Sequence, residues 1–524
     1  MKNRLLFCLV LILLNACKSI DIEPFSVEIP DKSFERFLVD ARIDKDGEVN
    51  GRMDIENAKT ITELRLNWYG FKNISSLKGI EVFTNLESID CSNNTLSGLD
   101  LSKNTALQTL ICSNNRISYL TLNQNVSLKK LDCSFNRMEF LDISKNIALE
   151  NLNIERNWLK TVDFSKNVAL QNLNCNDNYF VNLDLSANFA LQTFTSLGYY
   201  LETLKFGNNT VLSELICKSD VLATLDVSKN TGLKKLILSG ENLSSLDVSK
   251  NLTLEELSIS GSRFTTIDLS KNINLKSFSC FGAFTSLDVS KNINLKSFSC
   301  LGTSLTRADF SKNINLENLR LERTQLTDLD LSQNIGLIDL SLKDNQLFTK
   351  LNPSNCIALK SLSCAENQLS SLDVSKNLAL AYLSCSNNQI TALNLSQNTL
   401  LNGLDCSRNK LTKLDISKCG KLSALNCFLN QLTSLEVSKC PDLVNLNCTA
   451  NQIVELDVSK NTFLNRLYCI NNQLLNLDIS KNKFLSALDC KFNFIKNICV
   501  IDVEKAKANR NWEKDDVASY IICK

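Results

Sequence analysis

A mainly β repeat solenoid is the fold this sequence predicts, and three observations carry that reading. Leucine recurs at positions 86, 107, 128, 149, 170, 191, 212, 233, 254 and 275, then at 295, 316, 337, 359, 380, 401, 422, 443, 464 and 485. Every step is 21 residues except one of 20 and one of 22, so a fixed period, rather than a series of separate domains, organises the chain. With a divergent first repeat from Ile61, about twenty-one repeats stack. The second observation is local: in LAYLSCSNNQITALNLSQNTL, residues 380–400, Leu383 and Cys385 are two apart. Period two puts both on one face of a short strand. The third is that the back half of each repeat, L-D-V-S-K-N, restates the L-x-L-x-x-N pattern of the front half. Twenty-one residues leave little room for a helix, so a second short strand or extended segment is expected on the opposite side. A strand spacing near 4.8 Å then gives a stack of roughly 100 Å.

Composition narrows the function classes. The 524 residues carry 57 Lys plus Arg against 56 Asp plus Glu, so there is no net field to recruit nucleic acid or an anionic membrane. Histidine is absent, which removes serine–histidine–acid triads, the usual neutral-pH proton shuttle and the commonest nitrogen ligand of zinc. No catalytic residue, cofactor or metal site is expected.

Along the chain, Lys2 and Arg4 precede an apolar run from Leu5 to Leu14 that is too short to span a bilayer. That is an export signal over residues 1–16, with Cys8 inside the removed segment. The next four residues, Leu14-Asn15-Ala16-Cys17, resemble a bacterial lipobox. The resemblance implies cleavage before Cys17, lipid on its sulfur and a lipidated linker over 17–28. Lys18 implies onward sorting to an outer membrane. Residues 29–60 read as an N-terminal cap, with Pro30 near a helix start and Phe34, Phe37, Leu38 and Ala41 at helical spacing. Within it, Asp44-Lys45-Asp46-Gly47 suggests a calcium loop, but that alignment puts Arg42 and Met53 where the first and last ligands must be carboxylates. A turn is the better reading.

Residues 61–498 hold the repeats. Fourteen cysteines, among them Cys91, Cys112, Cys280, Cys300, Cys406 and Cys427, share the inward position that other repeats give to Ile154, Leu238, Ile259, Leu321 or Leu342. The slot wants an apolar filler, so these read as buried thiols. In-register side chains about 4.8 Å apart suit a bridge poorly, and no C-x-x-C pair marks a zinc site. Cys356, Cys419 and Cys440 replace the asparagine of the S-K-N turn, whose usual work is to satisfy backbone groups. Asp and Lys rows, such as Asp373 with Lys376 and Asp457 with Lys460, read as a solvated face.

The L-x-x-L-x-C-x-x-N-x-L pattern resembles the leucine-rich repeat, in the short form called IRREKO-type. With the lipobox it resembles repeat lipoproteins of Gram-negative bacteria of the Bacteroidota type and, more distantly, internalin-like adhesins. The tail, residues 499–524, resembles the C-terminal cap of related bacterial repeat proteins. A bridge between Cys499 and Cys523, which flank it, is favoured and is worth about 3 kcal/mol.

The resemblance places ligands on the outward side of the L-x-C sheet. That side is mostly Ser, Asp and Asn, suited to a protein or glycan partner. Phe428, Leu429, Tyr468, Ile470 and Phe492 are the candidate contacts, as aromatic and aliphatic anchors on a polar face. From 191 to 324 the first asparagine is missing in seven repeats, replaced by Tyr199, Asp220, Glu241, Ser262, Ala283, Thr303 and Thr324. This reads as local degeneracy, with Tyr199, Tyr200 and Phe281 exposed. The expected protein is a monomeric, non-catalytic adhesion protein at the outer membrane, surface-exposed and held there by its N-terminal lipid alone. The alternatives are a hydrolase of surface polysaccharide and a passive envelope scaffold.

Overall fold

The computed structural model describes residues 26–67, 73–261 and 263–523. The signal segment, Cys17 and the linker as far as Phe25 lie outside the described residues, as does Ser262. The chain is a parallel β-solenoid of about 22 turns and divides into two compact parts, one ending at Gly198 and one starting at Tyr199.

One repeat shows why each coil forms. In residues 380–400 the side chains of Leu380, Leu383, Cys385, Ile390, Leu393 and Leu395 are all buried. The strand Tyr382–Ser384 pairs in parallel with Ser361–Ser363 and Gly403–Asp405, so Leu362, Leu383 and Leu404 stand in one column. A single coil cannot close around six apolar side chains, whereas a neighbour on each side can. Each fully buried leucine then contributes about 1.5–3 kcal/mol. The chain turns after Cys385 because Asn387 takes a left-handed conformation, φ 53°, which asparagine tolerates better than most residues. Asn388 fixes the turn. Its Nδ2 donates to the carbonyls of Cys364 at 2.9 Å, Cys385 at 3.0 Å and Ser386 at 3.1 Å, and its Oδ1 accepts from the Leu369 amide at 2.9 Å.

The second asparagine column works by donation alone. Asn398 Nδ2 reaches the carbonyls of Val374 and Asn377, while its Oδ1 is buried without a partner. A thiol can imitate a donor, which explains cysteine there: Cys440 Sγ lies 3.4 Å from the Cys419 carbonyl and 3.7 Å from that of Ile416.

The back halves are extended, but few make strands. Gly98–Asp100 pairs with Tyr119–Thr121, and Asn476–Asp478 with Asn497–Cys499. Elsewhere the L-D-V-S segment bends, and in paired and unpaired back halves alike the aspartate accepts from the serine amide two residues on, as Asp100 does from Ser102 at 2.9 Å and Asp373 from Ser375 at 2.9 Å. The same bond, ahead of the Lys376 charge, holds the Asp373 carboxyl below the usual range, so the aspartate row is structural as well as exposed.

In Tyr199–Lys524 the strands that lack the first asparagine are longer. Glu214–Lys218, Lys235–Ser239, Glu256–Gly261, Ser277–Gly282, Ser297–Leu301 and Asn318–Glu322 run five or six residues, against three in Tyr382–Ser384. The expected degeneracy is a second regular solution. Tyr199, Tyr200 and Phe281 are exposed there.

The inward cysteines are buried, and burial pushes their thiols up, Cys364 and Cys448 to about 12. One pair corrects the packing-only reading: Cys280 and Cys300 are bridged, with Cα atoms 4.8 Å apart. That separation lies inside the range a bridge accepts, so one rung step does not by itself forbid a disulfide. The pair also falls on the one 20-residue step of the repeat.

Both ends are closed. The helix Lys32–Asp40 starts on Asp31, whose carboxylate accepts from Ser33 and Phe34, and it buries Phe34, Phe37 and Leu38. Ala41 is its exposed C-cap rather than part of that face. The cap also begins earlier than expected, since Ser26–Glu28 pairs antiparallel with Arg52–Asp54. Asp44, in the turn that follows, and Glu35 of the helix itself are buried, and Glu35 accepts from the amides of Asn50, Gly51 and Arg52. Burial, with Asp46 and Glu35 nearby, raises Asp44 to about 6. At the other end Trp512–Glu513 and Ser519–Ile521 add strands to Ala487–Asp489 and Asn497–Cys499. Cys499 and Cys523 are bonded, with Cα atoms 5.4 Å apart.

Candidate functional site

Outward strand positions form two columns. Tyr382, Gly403, Ala424, Asn445 and Arg466 make the first, and Ser384, Asp405, Asn426, Asn447 and Tyr468 the second. Two small residues in consecutive rungs, Gly403 and Ala424, leave a gap of roughly 10 Å along the stack. Tyr382 stands at one end, with Arg466 and Tyr468 at the other. The result is a concavity of about 310 Å³, near the lower end of the range for ligand sites. Tyr382 leans over Gly403: a Cβ there would meet the ring at 2.9 Å. The ring therefore rests on bare backbone, with 47% of the residue exposed.

The five candidate contacts divide. Tyr468 lines the concavity. Phe428, Leu429, Ile470 and Phe492 sit in the turns that follow their column cysteines, where Leu429 (φ 51°) and Phe492 (φ 55°) are left-handed. Such backbone turns the side chain out: Phe492 is 68% exposed and Leu429 42%. Phe428 is held under the Arg408 guanidinium, 4.9 Å from the ring centroid, a cation–π contact. The five thus form a ridge and one wall of a neighbouring dip, not one cluster. Sequence reasoning missed Tyr382, Gly403 and Arg466. The signal was Gly then Ala at the same outward position of successive repeats, flanked by large residues.

The N-terminal part has a concavity of about 420 Å³ over Lys130, Asp132, Asn151, Asn153, Asn172, Asn174, Thr193 and Thr195. There the polar groups bond each other: Asn172 donates to Asn151 at 2.8 Å, Thr193 to Asn172 at 2.6 Å and Thr195 to Asn174 at 3.0 Å. No aromatic side chain lines it.

Asp405 is the only carboxylate lining the Tyr382 concavity, whereas glycoside hydrolysis ordinarily needs a pair. Among the described residues no three His, Cys, Asp or Glu side chains group as metal ligands, and no helix is long and apolar enough to cross a membrane.

Solved structures decide the family of folds. The functional domain of InlJ from Listeria monocytogenes, described as including a cysteine ladder, is 28% identical over 76% of this chain and 78% of that one, with a TM-score of 0.54. The fold is a leucine-rich repeat stack. YopM from Yersinia enterocolitica shares this leucine-rich repeat fold, at 19% identity over 89% of this chain and 92% of that one and a TM-score of 0.56. The PEPR1–AtPEP1 structure does so at 18% identity over 81% and 64%, with a TM-score of 0.58. No family model and no curated relative matches the chain.

Proposed function

We propose that this chain is a non-catalytic leucine-rich repeat adhesion protein of a bacterial outer membrane. It is anchored by lipid on Cys17, surface-exposed and monomeric, and it grips a protein partner with the outward side of its C-terminal coils. The carrying observation is the ridge of turn residues beside the sheet: Leu429 and Phe492 are exposed, Ile470 is half-buried, and Phe428 is braced by Arg408. Rigid anchors on a polar face are the arrangement of an interface hot spot. The column of buried leucines and cysteines behind them supplies the rigidity. The likeness to the InlJ domain extends to the cysteine ladder described in that protein.

The test is capture of surface proteins by the mature chain, wild type against the double variant Leu429→Ser, Phe492→Ser, with the captured protein then titrated in purified form. Loss of two anchors should weaken binding at least 30-fold, about 2 kcal/mol. Equal affinity for the two forms removes this ridge as the binding face. Anchoring is read separately: radiolabelled fatty acid should enter the wild type and not Cys17→Ser.

A further inference from the structure

The concavity between Tyr382 and Tyr468 differs from the rest of the sheet in what it leaves unused. Asn426 lies on its floor, with Oδ1 buried and without a partner and Nδ2 only 3.4 Å from Ser407 Oγ. An amide oxygen that accepts nothing from the protein is open to an arriving hydroxyl once the Asn426 side chain turns outward. Beside it, Asn447 Oδ1 accepts from Thr449 N, which leaves its Nδ2 facing outward as a donor. Asp405 accepts from the amide and hydroxyl of Ser407 through Oδ1 and keeps its other oxygen. At one end of this floor Tyr382 presents a flat ring pressed on Gly403, and at the other stand Tyr468 and Arg466.

Unpaired acceptors and amide donors spaced by one rung, beside a rigid aromatic face, match one ligand chemistry best. A sugar ring offers hydroxyls that both donate and accept, together with an apolar C–H face that covers an aromatic ring. A peptide strand would bring its own row of amides and carbonyls but would find no free sheet edge here, because each rung is already paired on both sides. Arg466 and Asp405 offset each other, which points to an uncharged sugar. The N-terminal concavity supplies the contrast: Asn172, Thr193 and Thr195 each donate to the rung before, and no ring lines it.

We infer that the Tyr382–Tyr468 concavity is a binding site for a neutral saccharide, with Tyr382 as the stacking platform and Asn426, Asn447 and Asp405 as the hydroxyl-reading groups. This rests on the proposed binding role only in using the same face of the sheet. The experiment is titration of the full mature chain with neutral oligosaccharides (glucans, mannans, xylans and N-acetylglucosamine oligomers), followed by saturation-transfer NMR on any that bind. At least one should bind, and Tyr382→Ala and Asn426→Ala should each weaken it tenfold or more. Gly403→Val, which displaces the ring, should do the same. Leu429→Ser with Phe492→Ser should leave sugar binding intact while weakening protein capture, so failure of one proposal is distinguishable from failure of the other. Circular dichroism of each variant checks that the coils remain folded. No binding by any of these sugars, binding confined to acidic saccharides, or binding that Tyr382→Ala leaves unchanged overturns the inference.

Discussion

Coils 212–324 and coils 359–493, both within the part that starts at Tyr199, make the same turn by different means. In the later coils a side chain does the work: each Asn388-type amide makes four hydrogen bonds, two within its own turn and two to the preceding coil. In the earlier coils that amide is gone and backbone does the work. The strands run on, the amide of Ser219 donates to the Ser239 carbonyl and that of Gly240 to the Ser260 carbonyl, and glycines stack where side chains would collide. A Cβ at Gly240 would lie 1.9 Å from the Ser219 carbonyl oxygen, one at Gly261 2.4 Å from that of Gly240, and one at Gly282 2.0 Å from that of Gly261. Three successive repeats thus replace the asparagine with close backbone contact at glycine, whereas at Ser219 the hydroxyl replaces it, donating to the Leu201 carbonyl and accepting from the amides of Val221 and Leu222.

The two regions also differ in their cores, and alkaline pH should separate them most strongly. Coils 359–493 carry seven successive inward cysteines, Cys364 to Cys490, all free and buried, whereas coils 212–275 carry Cys217, Leu238 and Ile259 there. Burial raises these thiols from 9.0, Cys364, Cys448 and Cys490 to about 12 and Cys385, Cys406, Cys427 and Cys469 well above the ordinary value. The unfolded chain thus releases protons from about pH 9 while the folded coils hold theirs. Stability is fully present below pH 9 and falls as pH rises towards 12, by about 1.4 kcal/mol per thiol per pH unit. Proteolysis mapped at pH 10 should cut within 359–493 before 212–275. First cleavage in the earlier coils would show that the thiol column does not set local stability.

Gly240→Val should be the next largest effect. The side chain has no room, and forced separation of two coils costs about 3 kcal/mol or more. Urea unfolding with hydrogen exchange should show the loss centred on coils 212–261. If the midpoint is unchanged, the glycine stack is incidental.

Much of this was legible in the sequence because a 21-residue period repeats its evidence. The inward columns, the front strand of each repeat and the exposed Leu429 and Phe492 follow from side-chain alternation and turn position. What stayed hidden depends on neighbours two or three coils away. Gly403 looks like one glycine among 15 until the stack sets it beside Tyr382 and next to Ala424. The bridge between Cys280 and Cys300 depends on a local spacing that a uniform rung distance does not describe. The glycines of 240–282 look like loosened turns in one dimension, and only the carbonyls facing them reveal close contact.

The smallest effects sharpen the asparagine side of the comparison by setting its two columns against each other. Asn388→Ala leaves the Leu369 amide and the Cys364 carbonyl buried without this partner, so it should cost about 2–3 kcal/mol. At Cys440 the column needs donors only. Cys440→Asn would give the Ile416 and Cys419 carbonyls two full N–H donors in place of one weak S–H, yet it would bury an amide oxygen that finds no partner, as Asn398 Oδ1 finds none. The gain should therefore be about 1 kcal/mol or less, read as a small rise in the urea midpoint. A loss as large as that of Asn388→Ala would mean that the thiol fills a space too small for an amide, and that packing rather than donation selects cysteine in this column.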